Sequence, residues 1–167
     1  FVSIRQLVPS SSRTDEIKFK ELHLIPATVD DGDLLLEWRN DPAARSVSRN
    51  KDTISKEEHF EWLKASLINE NRQIFIAQED KISIGVVRVD KINDIQELSW
   101  TVAPSARGRG LGKKIVSILV TSLPLPVAAR VNRGNEASIK IAEYAGMKLI
   151  EEDEEFYLFR RDSMPTD

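Results

Sequence analysis

The chain has 167 residues, 41% hydrophobic and 31% charged, with a formal net charge of -3; these are the proportions of one ordinary folded domain, and they argue against a disordered chain or two full domains. The acidic balance argues against nucleic acid held by phosphate neutralisation, and the lack of cysteine excludes a disulfide framework, a thiolate metal site and a cysteine nucleophile. His23 and His59 are too few for a histidine-built metal site, no apolar run reaches the roughly 20 residues of a membrane span, and no signal-peptide order opens the chain, so a metal-free cytoplasmic protein without nucleic-acid or membrane partners is expected.

Residues 1–20 carry an aperiodic polar stretch from Pro9 to Glu16 and read as an arm or linker, before a domain expected over 21–162 and a tail at 163–167. The start at Phe1 fits a piece of a longer polypeptide. Residues 22–25 predict a first strand. Thr28 with Asp31 makes a capping-box start for a helix carrying Leu34, Leu35 and Trp38, which Asp41-Pro42 ends; Ser55 with Glu58 repeats that start for a second helix with Phe60, Leu63 and Leu67. Residues 73–78, 82–89 and 95–102 are rich in valine and isoleucine, with short polar turns between them, and predict an antiparallel meander.

From 110 to 123 the chain is apolar around most of a helical circumference, which predicts a helix pressed on the sheet until Pro124 stops it. Residues 127–131 predict a short strand. Asn135 caps a helix to about Ala145, Gly146 closes it, and two last strands flank the acidic turn at 151–155. The order predicts one α/β domain of the α+β type: a mixed, mostly antiparallel sheet of about six to seven strands with helices on both faces.

The segment Arg107-Gly108-Arg109-Gly110-Leu111-Gly112 joins the end of a strand to that apolar helix. Glycines allow positive φ and close approach of a ligand, and the first N–H groups of the helix carry the positive end of its dipole, an arrangement that binds phosphate. Arg107, Arg109, Lys113 and Lys114 make this the most basic stretch of an acidic protein. A P-loop needs a hydroxyl residue after the lysine, whereas Gly112-Lys113 is followed by Lys114; a dinucleotide fingerprint needs a different glycine spacing and an early parallel βαβ unit.

The spacing Arg107-x-x-Gly110-x-Gly112, together with Asn135-Glu136-Ala137-Ser138 and Gly146-Met147, resembles the GNAT acetyltransferase superfamily over residues 22–160. The resemblance implies acetyl-CoA as co-substrate, with Val102, Arg107, Gly108, Arg109, Gly110, Leu111, Gly112, Lys113, Asn135 and Ser138 as its binding residues, no metal, and direct attack of an acceptor amine without an acyl-enzyme. It implies Glu97, on the strand ending at Val102, as the base; an exposed strand glutamate is the plain alternative. Many members carry a tyrosine acid where this chain has Ala142; Tyr144 lies about 200° round the helix from that position, so it is only a weak substitute. His59 is a further candidate, with a packed histidine as its alternative.

The acceptor side is expected from Trp38, Arg39, Asn40, Arg45 and Asn50, a polar and aromatic set able to grip a polar ligand. It resembles the branch that acetylates amino groups of nucleotide-linked sugars in polysaccharide biosynthesis, and less closely the branch acting on protein N-termini. A catalytically weak CoA-binding module is the third reading. The partners expected are a small-molecule amine, a nucleotide sugar foremost, and a second copy in a homodimer.

Overall fold

The computed structural model describes residues 3–8, 18–48 and 50–163; the polar stretch 9–17 and the tail beyond 163 lie outside the described residues. The three valine- and isoleucine-rich runs form the expected meander: β3 (Arg72–Glu79), β4 (Ile82–Ile92) and β5 (Ile95–Val102), paired antiparallel in sequence. Ahead of them β1 (Ser3–Val8) pairs with β2 (Lys18–Pro26), and β2 with β3. After them come β6 (Val127–Asn132), β7 (Lys148–Glu152) and β8 (Phe156–Arg161), giving an eight-stranded sheet in the order β1-β2-β3-β4-β5-β6-β8-β7. The strand expected at 22–25 begins at Lys18, and its outer edge is covered by residues 3–8, part of the segment expected as an arm. Backbone pairing needs no hydrophobic alternation, which is why this extension left little trace in composition.

Three helices, rather than two, follow β2: α1 (Gly32–Asn40), α2 (Pro42–Ser46) and α3 (Lys56–Leu67). Thr28 and Asp31 form the capping box around a 3-10 turn that leads into α1. Asp41-Pro42 ends α1 and also begins α2. The Asp41 carboxylate accepts from the Ala44 N–H at 3.0 Å, and proline at the first helical position has no N–H to leave unpaired. The long apolar helix is α4 (Leu111–Ser122), the crossover between the parallel pair β5 and β6, and α5 (Glu136–Tyr144) starts at the Asn135 cap.

Strand alternation assigns the two faces of the sheet. Ile74, Val86 and Arg88 share a small cavity with Leu35 and Trp38 of α1 and with Trp62 of α3, whereas Gly85 faces Ile115 of α4 on the other side. Ile115, Val116, Ile118, Leu119 and Val120 are all buried, each worth about 1.5–3 kcal/mol by removal from water. No helix among the described residues is long and apolar enough to cross a membrane.

His59, considered above as a base, belongs to the core. It is 1% exposed and stacked on Trp62; Nε2 donates to the Gly32 carbonyl at 2.9 Å and Nδ1 is buried without a partner. Burial pushes its pKa below the ordinary value, and the Gly32 hydrogen bond offsets this only in part. The unfolded chain therefore takes up a proton first as pH falls. Stability is complete above about pH 6.5 and is lost as pH drops toward the folded pKa. Thermal unfolding between about pH 7.5 and 5.5 should show a fall in Tm for the wild type that is visibly smaller for His59→Gln, which keeps a donor for Gly32; equal falls would mean His59 titrates normally.

Candidate active site

β5 and β6 pair only at Gln96, Glu97 and Leu98 of β5. Past Leu98 the strands separate, because β6 follows β8 through six register positions while β5 stays with β4. Residues 99–102 of β5 then have no partner on the β6 side, and a cleft of about 980 Å³ opens there. Its walls include Trp100 and Val102 on β5, the loop before α4, and Asn135 and Ser138 on α5. Unpaired peptide groups in such a place cost about 1–3 kcal/mol each unless a ligand or water satisfies them.

Gly108 and Gly110 take φ of 78° and 72°, and a Cβ on either would meet nothing within 4 Å. The conformation demands glycine there, while space does not. Gly110 caps α4 without a side-chain hydrogen bond, so the first amides of α4 are left for a ligand. Gly112 is glycine for the opposite reason. A Cβ there would lie 2.6 Å from Ile141 Cδ1 and 3.2 Å from Val102 Cγ2, so its absence lets α4 seat against α5 and β5.

The two loop arginines diverge. Arg107 lines the cleft and donates to the Asp41 carboxylate at 3.0 Å, whereas Arg109 donates to buried Glu79 at 2.8 Å and is not among the cleft-lining residues. Arg109 therefore anchors the loop to the sheet and does not face the ligand as expected. Val102, Arg107, Gly108, Gly110, Leu111, Gly112 and Lys113 do line the cleft, with Asn135 and Ser138 opposite. Asn135 accepts from the Ser138 N–H at 3.2 Å, and Ser138 Oγ accepts from Trp100 Nε1 at 3.2 Å, which fixes the start of α5 over the split. Positive-φ glycines, uncapped amides and flanking cations fit the diphosphate of acetyl-CoA. Among the described residues no group of three or more His, Cys, Asp or Glu could hold a metal ion.

On the acceptor side, Arg39 and Asn50 line the cleft. Asn40 and Arg45 do not: Asn40 exchanges two hydrogen bonds with the backbone of Ile54, and Arg45 donates to the carbonyls of Asn40 and Lys51, so both hold the connection from α1 to α3. Trp38 is 5% exposed and belongs to the core, at the wall of the smaller cavity. Glu97 sits in the still-paired part of β5, 3.8 Å from Arg130, and is not among the cleft-lining residues. Tyr144 is 61% exposed, with Lys113 Nζ 5.5 Å from its ring, and also lies off the cleft. Ala142 is fully buried. Arg88, Ser99, Thr101, Arg130 and Lys140 line the cleft without having been singled out. Ser99 and Thr101 alternate with Leu98, Trp100 and Val102, as on any half-exposed strand, and only the departure of β6 turns that polar face into a wall.

Gly112→Ala should cost about 1–3 kcal/mol of stability through overpacking against Ile141 and Val102, and it should also weaken CoA binding. Gly108→Ala should cost about 1–2 kcal/mol through its left-handed backbone alone. Thermal unfolding and calorimetric CoA titration read both; a stable, tightly binding Gly112→Ala protein would contradict the close seating of α4.

The acetyltransferase (GNAT) domain family matches residues 21–148, and no curated protein matches the chain. Among solved structures, a domain from Methanocaldococcus jannaschii is 24% identical, covering 86% of this chain and 99% of its own, with a TM-score of 0.77. An aminoglycoside acetyltransferase in complex with coenzyme A is 18% identical, covering 84% and 94%, at 0.75. The spermidine N-acetyltransferase from Vibrio cholerae in complex with CoA and spermine is 16% identical, covering 83% and 92%, at 0.71. These likenesses show the fold, and with the family match over most of its length the chain belongs to the acetyltransferase (GNAT) domain family, as an acetyl-CoA-dependent N-acetyltransferase.

Proposed function

We propose that this protein transfers the acetyl group of acetyl-CoA to a primary amine of a small molecule, and that the amine belongs to a nucleotide-linked amino sugar. The observation that carries the reading is the continuity of the cleft, which runs from the loop at 107–112 through the split between β5 and β6 to Arg39 and Asn50 on the acceptor side. The split joins the two faces of the sheet, with α4 and α5 on the donor face and Ser99, Thr101 and Arg88 on the other. Bound acetyl-CoA supplies a thioester that an amine attacks directly, with the CoA thiolate as leaving group.

The chain's own residues do the rest. The peptide groups of 99–102 offer the hydrogen bonds that a neighbouring strand would otherwise take, and so orient an amide-bearing ligand along β5. Trp100 and Val102 narrow the passage and exclude water. An amine is mostly protonated at neutral pH, so a proton must leave before attack. Glu97 is on the same face of β5 as Ser99 and Thr101 but outside the cleft wall, paired with Arg130, so it takes part only through water. With Ala142 where a tyrosine acid is usual, and Tyr144 on the outer surface, water also protonates the departing thiolate.

Incubation with acetyl-CoA and UDP-linked amino sugars should release CoA and yield the N-acetyl sugar, whereas peptides should not be turned over. Turnover of peptides alone would overturn the assignment, and tight acetyl-CoA binding without turnover of either would leave a CoA-binding module. Glu97→Gln should lower kcat by less than about tenfold, against the roughly 100- to 10,000-fold loss of a directly acting base.

A further inference from the structure

Beyond the split, the cleft meets a second cavity of about 240 Å³ between α1, α3 and the sheet. Arg39, Arg88, Ser99, Trp100 and Thr101 line both, so the two spaces adjoin. The donor-side cations Arg107, Lys113 and Lys140 line only the outer cleft. On the reading of the outer cleft as the CoA site, its phosphates account for those cations but not for Arg39 and Arg88, which line the inner cavity as well.

The charges near this inner space do not cancel. Asp90 is shared by two arginines, Arg72 Nε at 2.6 Å from Oδ1 and Arg88 Nε at 3.0 Å from Oδ2, and Glu97 stands near Arg130. Arg39 has no ion pair among the described residues; its guanidinium lies 5.1 Å from the centroid of the Trp62 ring. Burial first, and then the charge of Arg88, hold the Arg39 pKa below its ordinary value. Arg39 and Arg88 are the two arginines that line the inner cavity, and the Asp90 carboxylate that Arg88 meets is shared with Arg72, so the positive charge at this wall is not fully offset. Asp52 is the one carboxylate residue lining either cavity among the described residues, at the outer cleft. Such a wall repels a polyamine and attracts an anion.

We propose that Arg39 and Arg88 form an anion-binding site at the inner end of the acceptor pocket, so that the amine acetylated here sits on a molecule that also carries a carboxylate or a phosphate. The proposal rests on the reading of the cleft as the site of acetyl transfer. Arg88 is held by Asp90 and Ser99, which orient it, while Arg39 sits over the Trp62 ring and donates no hydrogen bond among the described residues. In a nucleotide-linked amino sugar the diphosphate would supply the anion; in an amino-sugar acid the carboxylate would.

The test compares matched amines: glucosamine, glucosamine 6-phosphate, 2-amino-2-deoxyglucuronate, a UDP-linked amino sugar, and spermidine. In the wild type at least one anionic amine should exceed glucosamine in kcat/KM by about tenfold or more, with spermidine poorest. Arg39→Gln should abolish that margin, mainly through KM, while the Kd for CoA moves by less than about threefold. Arg39→Lys should restore part of it. A preference for spermidine, or an equal loss for glucosamine and the anionic amines, would overturn the proposal. Should no amine be turned over, the transfer reading fails separately, and titration of the CoA-saturated protein with inorganic phosphate or acetate decides this one. A saturable shift of an arginine Nε–H NMR signal that Arg39→Gln removes supports it, a response to phosphate or to acetate distinguishes the two anions, and no Arg39-dependent response to either refutes it.

Discussion

A β-sheet cannot be opened in its middle without stranding backbone polar groups, and everything functional in this chain depends on where it accepts that cost. The opening begins after Leu98, where β6 leaves β5 to stay with β8. Two contacts hold the gap at its present shape. The missing side chain of Gly112 lets α4 pack on Val102 and Ile141, and Trp100 donates to Ser138 across to α5. The helices thus support the sheet from one face while the exposed edge of β5 stays available to a ligand that carries amides of its own.

The loop before α4 is held by two ion pairs, and of their arginines only Arg107 also lines the cleft. Arg109 reaches Glu79 on β3, and Arg107 reaches Asp41 at the junction of α1 and α2. Asp41 has two duties, capping α2 through Ala44 and receiving Arg107, and these hydrogen bonds, Ala44 first, keep its carboxyl below the ordinary carboxylate value. One side chain therefore joins the loop before α4 to the junction of α1 and α2. Donor and acceptor sides share a strut as well as a cleft.

The fold was largely legible because its signals are local. Capping by Thr28, Ser55 and Asn135, the meander of β-branched residues and the apolar α4 were all recovered. The shape of the loop before α4 was legible for the same reason, since the positive φ of Gly108 and Gly110 is a local demand of the backbone. The acceptor half was not. Whether Asn40, Arg45 or Arg39 faces a ligand is decided by the 50–54 connection, which takes up Asn40 and Arg45 and leaves Arg39 toward the cavities. His59 and Trp38 kept a core reading beside a functional one because helical spacing alone does not tell a buried stripe from one that rims a pocket, and both are buried. Arg88 was missed because it looks like any polar residue on an alternating strand until β3, β4 and α3 are assembled around it.

A fold shared with proteins solved alongside an aminoglycoside or spermine does not carry the acceptor with it. Those ligands are polyamines, cationic at neutral pH, which a positively charged wall repels. Here the inner wall presents guanidiniums, and the nearby carboxylates Asp90 and Glu97 are already engaged with arginines. On the proposed reading, replacing one such charge would change which molecules enter without altering the loop before α4, because no loop residue lines the inner cavity. On that same reading, acceptor choice in this chain follows from the sign of the charge beside Trp62, which Arg39 on α1 supplies.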